Sequence, residues 1–213
     1  MKNLPYLYVV SVLALAACSG SLFQSKTPPP SVYLLSAKAV PSGAEIIPVD
    51  LAVLKPRVRT GLDTDLIAAL YPDRRLDYFA GARWSGPLDE VVQDLALQAF
   101  RGRARFRNVH ADASAFGSGY WLEIDVADFQ AEYFTDRGAA GGGAPTVHVH
   151  LIGRVGNSSD RRILGRFEAD QRQPATDNRV TAIVEAYNQA ADAALGQIVA
   201  ETAETLNRNL ERR

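Results

Sequence analysis

Tyr120-Trp121-Leu122-Glu123-Ile124-Asp125-Val126-Ala127-Asp128-Phe129-Gln130-Ala131-Glu132-Tyr133 is the stretch whose pattern decides the fold. Leu122, Ile124 and Val126 alternate with Glu123 and Asp125, which is the period of a strand with one apolar and one wet face. Beyond Asp128 the apolar set becomes Phe129, Ala131 and Tyr133, so the parity has flipped. A one-residue flip would turn the rest of the strand inside out unless a bulge absorbs it, and the pattern places that bulge at Ala127-Asp128.

Working outward, Val147, Val149 and Leu151 read as the inward residues of a second strand, with His148 and His150 outward. The glycine-rich segment 138–145 makes the hairpin between the two, and a further strand runs from Arg162 to Asp170. Upstream, Val32-Tyr33-Leu34-Leu35 and Val49–Leu54 read as strands, and Arg75–Ala80 as another after a turn at Tyr71-Pro72-Asp73. Residues 63–70 fit a helical turn or a strand equally well.

Two helices are expected. Pro87 suits a first helical position, with Ser85 or Gly86 as cap and Asp89 and Glu90 at the positive end of the dipole. Leu88, Val91, Val92, Leu95 and Ala99 then share a face, and Gly102 ends the helix. The second begins near Asn178 or Arg179 and carries a sustained apolar stripe, from Val180, Ile183 and Tyr187 to Ile198 and Leu206. The expected fold is α+β (or mixed α/β): a single domain with a mostly antiparallel sheet and the two main helices packed on one face.

The chain has 213 residues, is 47% hydrophobic and carries a formal net charge of −1. That balance suggests neither disorder nor a nucleic-acid partner. The N-terminus has a basic residue, Lys2, an apolar run over residues 4–14, and Leu15-Ala16-Ala17-Cys18. The run is too short to span a bilayer, which takes about 20 residues. The segment resembles a lipoprotein signal peptide whose lipobox ends in the acceptor cysteine. The resemblance implies residues 1–17 as signal, a lipidated Cys18 and, from Ser19 rather than Asp at the next position, the outer membrane facing the periplasm. Residues 18–30 close with three prolines and read as a tether, leaving 31–213 as the domain.

No constellation for catalysis emerges. His148 and His150 sit at a zinc-compatible spacing, but only His110 remains as a further imidazole, and a solvent-facing pair explains the pattern. There is no G-x-S-x-G elbow and no Gly-Lys-Ser/Thr phosphate loop. Glu123 and Asp125 read as a solvated strand edge. No catalytic residue, metal or cofactor is therefore expected. One charge feature stands out: if 103–107 is a strand, Arg103, Arg105 and Arg107 share a face. That stripe fits lipid headgroups, an acidic partner, or Asp and Glu on neighbouring strands.

Gly61-Leu62-Asp63-Thr64-Asp65, then Arg75–Trp84 (RLDYFAGARW), then Pro87-Leu88, resembles the central motif of the ABC-type transport auxiliary lipoproteins. Val32–Leu35 after the tether, Asp128-Phe129 and the closing helix with Ala186-Tyr187 fit the same family. Ser85-Gly86 departs from it, since relatives often have Ala and an acidic residue there. The resemblance implies a non-enzymatic, lipid-anchored component that works with an MCE (mammalian cell entry) protein, an ABC permease and an ATPase moving phospholipid between membranes. By analogy with MCE rings it also implies a homo-oligomer. The competing expectations are an envelope scaffold or assembly lipoprotein without a transport role, and a periplasmic hydrolase with an unrecognised site. Arg83-Trp84, at the strand-to-helix junction, reads as a core anchor or as an exposed recognition pair.

Overall fold

The computed structural model describes residues 29–39, 46–103, 106–111, 117–134 and 143–212. Cys18, most of the tether, Arg105 and most of the glycine-rich segment lie outside the described residues. Ser31 to the C-terminus forms one compact unit. It contains a nine-stranded sheet: β1 (Ser31–Tyr33), β2 (Ile47–Val53), β3 (Arg57–Val58), β4 (Leu66–Leu70), β5 (Leu76–Trp84), β6 (Phe106–His110), β7 (Tyr120–Glu132), β8 (Thr146–Asn157) and β9 (Ile163–Pro174). Two helices are described, α1 (Leu88–Arg103) and α2 (Val180–Glu211). Neither is apolar enough over its length to cross a membrane.

β7 is the central strand. One edge pairs antiparallel with β8 along its whole length, and β8 pairs antiparallel with β9. Its other edge pairs in turn with β2, β3 and β4, all parallel. β1–β5 and β2–β6 are parallel too. The sheet is therefore mixed rather than mostly antiparallel. The antiparallel pairs β4–β5, β7–β8 and β8–β9 join strands adjacent in sequence, whereas a parallel neighbour needs a crossover, and α1 lies in the crossovers from β2 to β6 and from β2, β3 and β4 to β7. Side-chain alternation carries no information on strand direction, so periodicity alone could not distinguish the two.

The bulge lies where the parity flip put it: the β7–β8 register shifts between Val126 and Asp128. Leu122, Ile124 and Val126 before it and Phe129 and Ala131 after it are all buried, together with Val147, Val149 and Leu151 of β8. The Gln130 side chain accepts from the Phe129 amide at 2.9 Å. Both helices cover this apolar face and touch each other. Leu88, Val91, Val92, Leu95 and Ala99 of α1 are buried, as are Ile183, Tyr187, Ile198 and Leu206 of α2.

Several boundaries shift. Residues 66–70 are strand, buried at Ile67, Ala68 and Ala69. Pro87 precedes α1 rather than opening it: its carbonyl accepts from the Val91 amide at 3.1 Å, the position of a cap. Gly102 lies inside the last turn. A Cβ there would meet the Ala39 backbone at 3.1 Å, so close packing explains this glycine better than helix termination.

Candidate functional site

The face of the sheet opposite the helices is a charged lattice built on β7. Glu123, Asp125, Asp128 and Glu132 project from it, with Arg57 and Arg59 on one side and β8 on the other. Arg57 Nε donates to Asp125 at 3.1 Å and its guanidinium also pairs with Glu123. Arg154 donates to Glu123 at 3.1 Å and Asp125 at 2.7 Å, and Arg59 donates to Asp128 at 2.9 Å. Glu123 and Asp125 are thus half-buried partners on a central strand, not a solvated edge.

β8 adds two histidines, each set between acids of the flanking strands. His148 Nδ1 lies 2.9 Å from Glu132 and Nε2 3.0 Å from Asp170. The His150 nitrogens lie 3.6 Å from Asp128 and Glu168. His148 is 5% exposed, so it does not face solvent as its alternation suggested. Cross-strand neighbours close over it, including Arg172, which donates to Glu132 at 2.5 Å. Burial pushes the Glu132 carboxyl up, but hydrogen bonds from His148, Gln130 and Arg172 outweigh it and hold the group below its ordinary value. No group of three or more His, Cys, Asp or Glu set to hold a metal occurs among the described residues. Chemically the lattice neutralises itself, since its carboxylates are engaged by cations or amides of the same face.

The arginine stripe does not form as a single strand. Arg103 sits in the last turn of α1, where it donates to Asp192 of α2 at 2.5 Å and to the Lys38 carbonyl at 3.2 Å. Arg107 lies on β6 and grips Asp50 through two bonds of 3.0 and 2.6 Å. The strand begins only at Phe106, so the two residues share no face, and cross-strand or inter-element pairing with acids is what both of them do.

The Gly61–Trp84 motif folds into a brace. Gly61 has φ +90°, a conformation that favours glycine. Its carbonyl accepts from the Tyr78 hydroxyl at 2.7 Å. The Trp84 amide donates to the Asp65 carbonyl at 2.7 Å and the Leu88 amide to that of Thr64 at 3.1 Å. Arg83 pairs with Asp65 at 3.2 Å. Trp84 is 2% exposed and packs against Phe129 and Tyr187, which makes it a core anchor. The feature that sequence reasoning missed is the outer row of the lattice. β9 continues to Pro174, and Arg166, Glu168, Asp170 and Arg172 alternate with Phe167 and Ala169, a period-two signal that does run past Asp170.

A sheet backed by helices on one side and covered by its own ion pairs on the other defines an α+β module that presents surfaces. The chain belongs to the ABC-type transport auxiliary lipoprotein component family, whose model matches residues 33–199. The family is an auxiliary part of transporters and not a known enzyme family, and its members are lipoproteins. The fold is similar to that of protein XCC0632 from Xanthomonas campestris, at 23% identity and a TM-score of 0.73, over 85% of this chain and 99% of that one. A second solved structure, of an uncharacterized protein, matches at 15% identity and a TM-score of 0.57, over 83% of this chain and 98% of that one. No curated protein sequence matches the chain.

Proposed function

We propose that this chain is the lipid-anchored, periplasm-facing component of an MCE-type phospholipid transport system, joining the ABC machine of the inner membrane to the outer membrane without catalysing a reaction. The observation that carries the reading is the family match over residues 33–199 on a chain whose first 18 residues include Lys2, an apolar run and Leu15-Ala16-Ala17-Cys18. Acyl chains on Cys18 hold one end, each buried methylene contributing about 0.8 kcal/mol, so that two or three chains anchor stably. Residues 18–30, whose composition ends in three prolines, give the reach of a tether, and the domain offers surface to the partner. Ser19 supports the outer membrane over the inner.

The test has two readouts. Mass spectrometry of the membrane-extracted protein should give an acylated Cys18 as the mature N-terminus. Cross-linking in cells should capture an MCE protein with its permease and ATPase. An uncleaved chain with a free Cys18 sinks the anchor; an anchored protein that captures no such partner sinks the transport role and favours an envelope scaffold.

A further inference from the structure

One end of the open face carries an amphipathic patch that the charged lattice leaves out. It centres on the β4–β5 hairpin, closed by the Arg74 amide donating to the Tyr71 carbonyl at 2.9 Å and the Tyr71 amide to the Arg75 carbonyl at 3.0 Å. Arg74 has φ +67°. Glycine takes that conformation freely and L residues rarely do, yet this chain keeps an arginine whose guanidinium has no ion-pair partner among the described residues.

The surroundings of Arg74 are apolar on the open face. Leu70 pairs with Leu76 and lies level with Glu132, so Leu70 and Leu76 point to the side away from the helices, and Phe134 lines a cleft together with Leu70 and Glu132. Phe134 is 66% and Leu76 36% exposed, two of the few large hydrophobic side chains left in solvent. Pro72 is exposed at the hairpin tip. A cleft of about 370 Å³ runs between Arg59, Tyr71, Arg74, Tyr133 and Phe134. At its base Tyr71 stacks on Tyr133 with centroids 5.2 Å apart, and the Arg75 guanidinium lies over the Tyr71 ring, 4.4 Å from its centroid.

Charge decides what such a patch meets. Asp73 and Asp77 are both engaged by Arg75, at 3.5 and 2.9 Å. Asp77 also stands opposite buried Ala69, on the helix-covered side. Glu132 is held by Arg172 and His148, and Asp128 by Arg59. Arg74 is the cation left over, beside exposed Phe134, Leu76 and Pro72.

We propose that this end of the sheet docks on an anionic lipid bilayer, with Phe134, Leu76 and Pro72 entering the interface and Arg74 meeting headgroup phosphates. A cation set among exposed aromatic and aliphatic side chains is the composition of an interfacial surface. The bilayer is the occupant because the family is one of lipoproteins, and residues 19–30, fully extended, span at most about 40 Å. The membrane thus stays within reach of the domain. The inference rests on the anchoring of Cys18 but not on the identity of the transporter.

The test uses the mature acylated chain in vesicles of phosphatidylcholine, alone or mixed with phosphatidylglycerol, read by amide hydrogen exchange over residues 70–78 and 132–134. Exchange should slow in the anionic vesicles only, and raised salt should abolish the difference. Arg74→Gly should cut the protection about fivefold, the loss of one near-surface arginine, while Tm holds or rises because the left-handed strain is relieved. Phe134→Ser should lose protection with an unchanged Tm. Equal exchange in both vesicles, or an Arg74→Gly chain that behaves as wild type, overturns the proposal. So does protection that appears only when a transporter protein is added, which makes the patch a protein interface. An unacylated Cys18 refutes the anchor instead, and protection by added anionic vesicles would then still report on this end of the sheet.

Discussion

Trp84 stands edge-on to Tyr187, with ring centroids 5.1 Å apart and planes at 82°, and Phe129 completes the cluster 5.2 Å from Tyr187. The three rings belong to β5, α2 and the far side of the β7 bulge. The Tyr187 hydroxyl donates to the Ala68 carbonyl of β4 at 2.7 Å. A single contact set therefore fixes the long helix to three strands, including the one that emerges from the family motif.

The first prediction follows from that burial. Trp84→Ala should destabilise the domain by about 3–5 kcal/mol, the usual cost of emptying a large aromatic site. Tyr187→Phe keeps the packing and removes the hydroxyl's hydrogen bonds with the Ala68 carbonyl and the Ala131 amide, at about 1–3 kcal/mol. Urea unfolding decides it. Near-equal losses would mean the hydroxyl, and not the ring packing, dominates.

Ala127 is the extra residue of the bulge, and its deletion should be more damaging than any substitution there. Without it Phe129, Ala131 and Tyr133 move to the charged face, and Asp128 and Glu132 into the core. The deleted chain should fail to give a cooperative thermal transition, while Ala127→Ser stays within about 0.5 kcal/mol of wild type. A folded deletion variant would show that the register is set elsewhere.

Asp50 offers a titration test of the Arg107 contact. Hydrogen bonds from Arg107 and then Asn108 lower its carboxyl from 3.8 to about 2. A folded-state value below the unfolded one adds stability that is present above pH 4 and is lost as pH falls toward 2. Arg107→Gln should raise Asp50 part of the way back toward 3.8 in a carbon-detected NMR titration, since the Asn108 hydrogen bond remains, and should remove part of the stability held above pH 4, a small part because the pair is exposed. An unmoved Asp50 would show that Arg107 does not hold it in solution.

What the sequence made legible follows from burial. Phe129 and Val149 had to point inward, so alternation located the bulge and the core faces of β7 and β8, and 3.6-residue spacing located α1 and α2. Which edge of β7 receives β2, β3 or β4 depends on backbone pairing that leaves no mark on side-chain type, and the parallel half of the sheet stayed hidden. His148 failed for a related reason. Its polarity and parity match those of a solvent-facing residue, and only Glu132, Asp170 and Arg172, 16 to 24 positions away in the chain, reveal that it is enclosed. Arg103 looked like a strand residue because Gly102 read as the end of the helix and the arginines at 103, 105 and 107 follow the two-residue period of a strand face.

The final prediction concerns the strap that carries the chain from β1 across both helices. The Ser36 amide donates to Asn188 and the Lys38 amide to Asp192, both at 2.8 Å, and the Ala37 amide to Gln98 of α1 at 3.3 Å. Asp192 also receives Arg103, which reaches on to the Lys38 carbonyl, so one carboxylate joins the strap, α2 and the end of α1. Asp192→Ala leaves the Lys38 amide and a largely buried guanidinium unpaired, at about 1–3 kcal/mol. Asp192→Asn keeps an acceptor and should cost less. Hydrogen exchange should show the amides of residues 36–38 opening faster in Asp192→Ala and in Arg103→Gln, while the β7–β8 ladder stays protected. Unchanged exchange in the strap would mean the clamp is not formed in solution. A faster strap in Arg103→Gln has a further consequence: weaker partner capture by that variant would report a loosened N-terminal segment, and Arg107→Gln, which leaves the strap alone, is the cleaner probe of surface charge.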